Sequence, residues 1–349
     1  MQVKTTKAAI LKELNSPLII DEITLPENLA YGQVLVRIHY SSICGSQLGE
    51  ISGVKGHDPY LPHMLGHEGS GVVLEVGEGV SMVKPGDRVV MHWKPSNGIN
   101  AKPANYTWRG AKLNSGQITT FSEHAVVSEN RLTPIPDDFD MKIAPLFGCA
   151  VTTGLGVIKN DAQVKIGDSV IIFGAGGVGL NMIQGAVMSG AYPVIATDIH
   201  KNRLEMAKKM GATVCLLADD KEGLEAAMKQ YSIKGFDIAI DNTGNPAVIA
   251  QAYGITSPEG RTVLVGVPKK GNNTELYTLP LHFGKSITGS HGGGTIPQKD
   301  IPAYIRLYKA GRLDLDRLIT HTFKLDDINT ALDMMRKGET DGRCLLEMI

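Results

Sequence analysis

Three side chains in the first half of the chain, Cys44, His67 and Cys149, are of types that bind a borderline-soft metal. Thiolate and imidazole suit Zn²⁺, and three protein ligands with an open fourth position are the pattern of a catalytic zinc site. The spacings are long, and ligands this far apart cannot be paired from sequence alone. Each residue also has an ordinary reading, since an isolated cysteine commonly serves as a small buried hydrophobe. Their contexts are Ser42-Ile43-Cys44-Gly45-Ser46, Gly66-His67-Glu68-Gly69-Ser70-Gly71, and Phe147-Gly148-Cys149 followed by Thr152-Thr153-Gly154.

A second constellation is rich in glycine. Residues 169–173 read as a buried strand, Gly174-Ala175-Gly176-Gly177-Val178-Gly179 as a turn, and 178–189 as a helix. Gly174, Gly176 and Gly179 fit the dinucleotide pattern G-x-G-x-x-G. The first glycine permits the tight turn, the second leaves room for a pyrophosphate, and the third lets helix and strand pack closely. The helix start, at Gly177 and Val178, offers unpaired N–H groups to phosphate. A second strand ends at Asp198, at the offset of about 20 residues where an acid accepts a ribose 2′-OH. An acid there repels a 2′-phosphate and favours NAD. His200, Lys201 and Arg203 follow closely and leave some tolerance of NADP.

The elements that must hold these groups differ between the two halves. Residues 34–38, 71–76 and 88–91 are β-branched runs bounded by Gly, Pro and Asp, so the first 150 residues read as a mostly β domain. From about residue 150, strand-like runs at 169–173, 194–197, 236–241 and 262–267 alternate with helical stretches such as 203–210. That alternation argues for a parallel, doubly wound α/β sheet. The tail is mixed, with helices expected at 301–309 and 328–337 and a closing strand at 343–348. The least regular stretch, 93–117, reads as a long surface loop. The expected division is therefore 1–150, 151–290 as the dinucleotide domain, and 291–349 returning to the first domain.

A chain of 349 residues suits two domains. A net charge of −1 and 5% aromatic residues offer neither a basic field nor a stacking surface for nucleic acid. The four cysteines are widely spaced, which fits a reduced, cytoplasmic setting. Of the two outside the trio, Cys215 reads as buried core and Cys344 lies in the closing strand. Lys4, Lys7, Lys12 and Glu13 interrupt any signal-peptide stretch, and no apolar run reaches the length of a membrane span.

At the residues quoted above the sequence resembles the zinc-containing medium-chain alcohol dehydrogenases. Gly66-His67-Glu68 with its glycine tail matches that family's zinc signature. Gly86-Asp87-Arg88-Val89, Gly266-Val267-Pro268, Leu318-Ile319-Thr320-His321 and the end near Arg343 follow in the family's order. The resemblance implies a Rossmann coenzyme domain beside a GroES-like, mostly β catalytic domain. It implies one catalytic zinc held by Cys44, His67 and Cys149, with Glu68 just behind the metal. Ser46 would hydrogen-bond the substrate oxygen and start the proton path, and Thr153 would pack near the nicotinamide. The backbone around Val267 and His291 would hold the carboxamide, Arg343 would contact the pyrophosphate, and Trp93 would line the substrate pocket. NAD(H) is the implied cofactor, an alcohol the substrate, and a homodimer or homotetramer the assembly.

This chain also departs from the family. No cysteine lies between Cys44 and Cys149, so the family's four-cysteine structural zinc lobe cannot form. Gln47 stands where an Asp usually supports the zinc histidine, and Gly49 where the relay histidine would be, leaving Glu50, water or the ribose as the route for the proton. Cys44-Gly45-Ser46 resembles the polyol and threonine branches, while the region of Cys149 resembles the alcohol and glutathione-linked branches. The polar residues of 93–117, among them Asn97, Asn100, Arg109 and Lys112, suit a polyol, cyclitol or sugar derivative if that segment covers the pocket. The competing classes are a zinc-free quinone or enone reductase on the same scaffold and a non-catalytic NAD-binding protein. The first would lack the zinc ligands and this chain has all three; the second could lose Cys44, His67 or Ser46 and none is lost.

Overall fold

The computed structural model describes residues 1–348. The backbone clusters into two units. One comprises Met1–Cys149, Ile296–Ala310 and the chain from Leu315 onward; the other comprises Ala150–Thr295 and Gly311–Asp314.

The first unit is built on two sheets. A seven-stranded sheet runs in the order Leu132–Pro134, Arg88–His92, Glu68–Val76, Gln33–Ile43, Arg343–Glu347, Ile319–Lys324, with His124–Ser128 also paired to Gln33–Ile43. A five-stranded sheet has the order His63–Met64, Thr5–Leu11, Ile19–Thr24, Tyr106–Trp108, Ala111–Leu113. Several strands are apolar on both faces because each face meets a different core. Val34, Val36 and Ile38 pack into one core with Ala9 and Leu11; Leu35 packs into another with Ala8 and Ile10. Side chains alternate with period two along a strand, so odd and even positions serve different layers.

The stretch 93–117, expected as a loop, is partly a hairpin. Tyr106–Trp108 and Ala111–Leu113 pair antiparallel. They turn at Arg109 (φ 52) and Gly110 (φ 77), both left-handed, as a two-residue type I′ turn requires. Tyr106, Trp108 and Leu113 are buried in the second core. Strands of three residues show too little alternation to stand out from a loop. Trp108 Nε1 and the Arg109 guanidinium both donate to Asp21 Oδ2, at 2.8 Å and 2.9–3.1 Å. The Trp108 hydrogen bond first, then the Glu22 amide and Arg109, hold the Asp21 carboxyl below its usual range.

The earlier part of this stretch is organised by Glu129, which is fully buried. Its carboxylate accepts the backbone N–H groups of Ser81, Met82 and Ile99 at 2.6, 2.7 and 2.6 Å. Beside it, Asn100 Oδ1 accepts from Gln117 and Asn130.

The second unit holds a six-stranded parallel sheet in the order Val214–Leu217, Val194–Asp198, Val170–Phe173, Phe236–Asp241, Thr256–Leu264, Ser286–Gly289. The chain starts at the inner strand Val170–Phe173, winds outward to Val214–Leu217, then crosses back. That reversal is the topological switch point of a doubly wound sheet. Val170–Phe173 is buried along its whole length, which explains its unbroken Val-Ile-Ile-Phe run. Cys215, expected in the core, is half-buried near the sheet edge, and its thiol is pushed up by that burial. Among the described residues no helix is long and apolar enough to cross a membrane.

Removing the Glu129 carboxylate strands three backbone donors. Glu129→Ala is expected to cost the first unit about 3 kcal/mol or more. Urea unfolding followed by tryptophan fluorescence measures it, since Trp93 and Trp108 both lie in that unit. A loss below about 0.5 kcal/mol, the range of an ordinary surface change, refutes the role.

Candidate metal centre and dinucleotide turn

All three candidate metal ligands lie in the first unit, each at the end of an element. Cys44 follows strand Gln33–Ile43 and is the N-cap of helix Gly45–Ile51. His67 immediately precedes strand Glu68–Val76. Cys149 ends the 3₁₀ turn Ala144–Gly148 and leads into helix Ala150–Gly156. Their ligand atoms lie within 4.8 Å of one another. Both cysteines are buried. His67 Nδ1 lies 2.5 Å from Gln47 Nε2, while the buried Nε2 has no hydrogen-bond partner. Two thiols and one free imidazole nitrogen at this spacing fit a zinc ion, whose bonds to them are about 2.0–2.3 Å long. The Cys44 thiol is held well below the usual thiol range, by its hydrogen bond with Cys149 first and then by His67 and the Arg343 charge, against the opposing effect of burial. The thiolate is the metal-binding form.

Behind the ligands lies a buried polar layer. Glu68 is fully buried and Arg343 is 4% exposed. Arg343 Nη2 donates to Glu68 Oε1 and, at 2.6 Å, to Ser42 Oγ; its Nε reaches the same hydroxyl at 3.1 Å. The Glu68 main-chain oxygen accepts from Ser41 at 3.0 Å and Thr120 at 3.3 Å. The structure thus gives Arg343 a buried carboxylate partner, and the residue is not the solvated C-terminal charge it could have been. Sequence reasoning missed this pair and the supporting Ser42. The available signal was the pair of serines, Ser41 and Ser42, near the end of a strand and just before Cys44. Ser46 is exposed in the first turn of its helix. Trp93 donates its N–H to the Gly148 carbonyl at 3.4 Å, beside Cys149, and its own carbonyl accepts from Arg131.

The glycine turn lies in the second unit. Gly174 has φ +97, closed to most side chains. A Cβ on Gly179 would run into the Gly174 carbonyl, whereas one on Gly176 would stand in open space. That is the division of labour the motif predicts: one glycine for packing, one for ligand approach. Gly177 and Val178, half-buried, open the helix Gly177–Met188. Asp198 ends its strand with Oδ2 accepting Ala175 N–H at 2.8 Å and Oδ1 accepting His200 N–H at 2.9 Å. Arg203 lies 3.9 Å from the same carboxylate. Thr153 is buried in helix Ala150–Gly156, while Val267 and His291 are exposed. Asp241 also went unnoticed in the sequence. It is fully buried and fixes the next loop by accepting from Thr243 and Gly244. Asn242 of that loop donates to the Gly174 carbonyl at 3.3 Å.

His92 neighbours the metal layer, paired with Glu68 across the ladder. It is 1% exposed, and burial pushes its imidazole down to about 4. The folded pKa is below the unfolded value, so the unfolded state binds more protons between the two. Stability should therefore fall as pH drops from about 6.5 towards about 4, by about 3 kcal/mol in total. In His92→Gln that part of the acid loss should vanish. Urea unfolding at neutral pH and near pH 4.5 tests it, and an unchanged difference would sink the assignment.

The comparisons with known proteins agree with this geometry. The family model described as zinc-binding dehydrogenase matches residues 177–310, and the alcohol dehydrogenase GroES-like domain matches residues 30–137. The chain is 31% identical to an alcohol dehydrogenase class-P of Arabidopsis thaliana, over 99% of this chain and 98% of that one. It is 32% identical to an S-(hydroxymethyl)glutathione dehydrogenase of Paracoccus denitrificans, over 96% and 98%. Among solved structures, benzyl alcohol dehydrogenase from Acinetobacter calcoaceticus superposes with a TM-score of 0.89 at 27% identity, covering 99% of this chain and 100% of that one. Two domain matches in chain order, whole-length relatives and a shared fold have one reading: this chain belongs to the zinc-containing medium-chain alcohol dehydrogenase family.

Proposed function

We propose that this protein is a zinc-dependent oxidoreductase that transfers a hydride between an alcohol and NAD. The observation that carries the reading is the trio of buried Cys44 and Cys149 with half-buried His67, their ligand atoms gathered within 4.8 Å and His67 Nε2 left unpartnered. Zinc bound there supplies Lewis acidity, which lowers the pKa of a hydroxyl it holds, and NAD supplies the hydride acceptor.

The chain's own residues do the rest. Cys44 and Cys149 provide thiolates, and hydrogen bonding already favours that form at Cys44. Arg343 holds Glu68 by one carboxylate oxygen and leaves Oε2 unpartnered. Ser46, exposed on its helix, accepts the hydroxyl proton and passes it outward. Asp198, fixed by two backbone amides, presents its carboxylate to the ribose hydroxyls. Thr153, Val267 and His291 are the residues we assign to the nicotinamide.

The substrate is an alcohol. The idea of a polar or anionic one resting on the 93–117 segment loses one of its charges, because Arg109 is committed to Asp21. A zinc-free reductase is not favoured, since every metal ligand is present and gathered. We also assign a homo-oligomeric state. Edge strand Ser286–Gly289 is preceded by the exposed side chains of Tyr277, Leu279 and Phe283, an apolar face beside an open ladder. Sedimentation at micromolar concentration should show at least a dimer, and a monomer removes that assignment.

The deciding assay is NADH formation from NAD⁺ with a panel of simple, aryl and polyhydroxy alcohols. Turnover of one class, lost with chelator, restored by zinc and weaker with NADP⁺, is the expected result. Turnover that survives complete metal removal overturns the zinc reading.

A further inference from the structure

Helix Ala150–Gly156 ends on a glycine whose backbone does not call for one. Gly156 has φ −64 and ψ −41, right-handed helix that any residue adopts, and alanine is the better helix former. Space is what excludes a side chain. A Cβ on Gly156 would run into Thr295 Cγ2 and stand 2.5 Å from the Gly293 carbonyl oxygen. From the other side, a Cβ on Gly293 would stand 2.6 Å from the Thr153 carbonyl oxygen and from Val157 N, and 2.7 Å from the Gly156 carbonyl carbon. Helix and turn meet backbone to backbone, with no side chain between them.

The turn is Gly292–Gly294, three residues left-handed in succession (φ 61, 65 and 58). It is held at several points. Thr295 Oγ1 donates to the Gly292 carbonyl at 2.8 Å, Gly293 N–H donates to Ser290 Oγ at 3.0 Å, and the Asn160 side-chain amide donates to the Gly293 carbonyl at 2.7 Å. Asn160 lies in the π-helical turn Val157–Ala162 that continues the helix, and such widened turns recur at functional sites. Two residues assigned above to the nicotinamide flank the contact. Thr153 enters it with its own carbonyl, and His291 immediately precedes the turn. All of these residues belong to the second unit.

Resting on that nicotinamide assignment, we propose that Gly156 and Gly293 are positioning residues for the nicotinamide ring. Their bare backbone contact sets the spacing between Thr153 and the turn that follows His291. A methyl group at 156 would have to part helix and turn by roughly 1 Å to reach ordinary contact, and an interior packed at crystal-like density has no slack to absorb it. None of the nearest atoms in the contact belongs to Asp198 or to the glycine turn Gly174–Gly179. The adenosine and pyrophosphate end of the cofactor should therefore not sense the change.

The test compares NADH with ADP-ribose, which is the same ligand without its nicotinamide, by titration into wild type and Gly156→Ala. The variant should bind NADH about 10-fold more weakly, the scale of overpacking a dense interior by one methyl group, and should bind ADP-ribose as wild type does. A merely structural role would weaken both ligands together, and that result overturns the proposal, as does unchanged NADH affinity. A second measurement needs no variant to fold. In wild type, hydrogen exchange at the Gly293 and Val157 amides should slow more under saturating NADH than under saturating ADP-ribose; equal exchange under the two ligands overturns the proposal. Wild type that binds neither ligand overturns it together with the NAD reading. Wild type and variant that bind both ligands alike leave the NAD reading intact and remove this inference alone.

Discussion

A guanidinium and a carboxylate buried against each other, Arg343 and Glu68, set the terms for the first unit. Either charge alone in that position would cost several kcal/mol, so each must keep the other. Arg343 begins strand Arg343–Glu347, Glu68 begins strand Glu68–Val76, and Ser42, which binds the same guanidinium, lies near the end of Gln33–Ile43. The three strands are neighbours, with Gln33–Ile43 in the middle. A one-residue slip in any of them would turn its side chain to the opposite face and break the pair. The register is fixed by that requirement, and the register places Cys44 and His67, which sit just beyond the ends of two of those strands.

The same unit shows how the segment after Trp93 is ordered by a buried carboxylate and by strand pairing. The Glu129 carboxylate ties Ile99 to Ser81 and Met82 through their backbone amides, and residues 106–113 are absorbed into the five-stranded sheet as a hairpin. Trp93, at the start of this segment, is held at both backbone groups, by Gly148 and by Arg131. Buried carboxylates accepting N–H groups make strong, charge-assisted anchors. The second unit uses the device twice more, with Asp198 and Asp241 fixing the loops on either side of the glycine turn. A phosphate-binding turn works through backbone N–H positions, so its neighbours must be held still before any ligand arrives.

Some of this was written locally and could be read. The glycine turn is contiguous, and each glycine has a separate steric reason, so Gly174, Gly176 and Gly179 could be interpreted in place. The alternation of apolar strands with helices after residue 150 announced a parallel sheet, because strands buried on both faces must be apolar throughout. The hairpin at 106–113 was missed because two strands of three residues carry almost no periodic signal. Cys215 looked buried because its neighbours are apolar, yet it belongs to the strand at the sheet's edge.

What the sequence by itself determined is therefore the chemistry available and the local geometry that a few contiguous residues impose: thiolates, imidazole, a phosphate turn, an acid at a strand end. Its motifs also carried the family resemblance. Only the tertiary structure decided which of these groups meet. Cys44, His67 and Cys149 are separated by long stretches of chain, and nothing local links them. Arg343 reaches Glu68 only because the last strand inserts beside Gln33–Ile43, and Gln47 meets His67 only because a helix and a strand end converge. Such contacts arise from strand order and register, which depend on the whole core being filled at once.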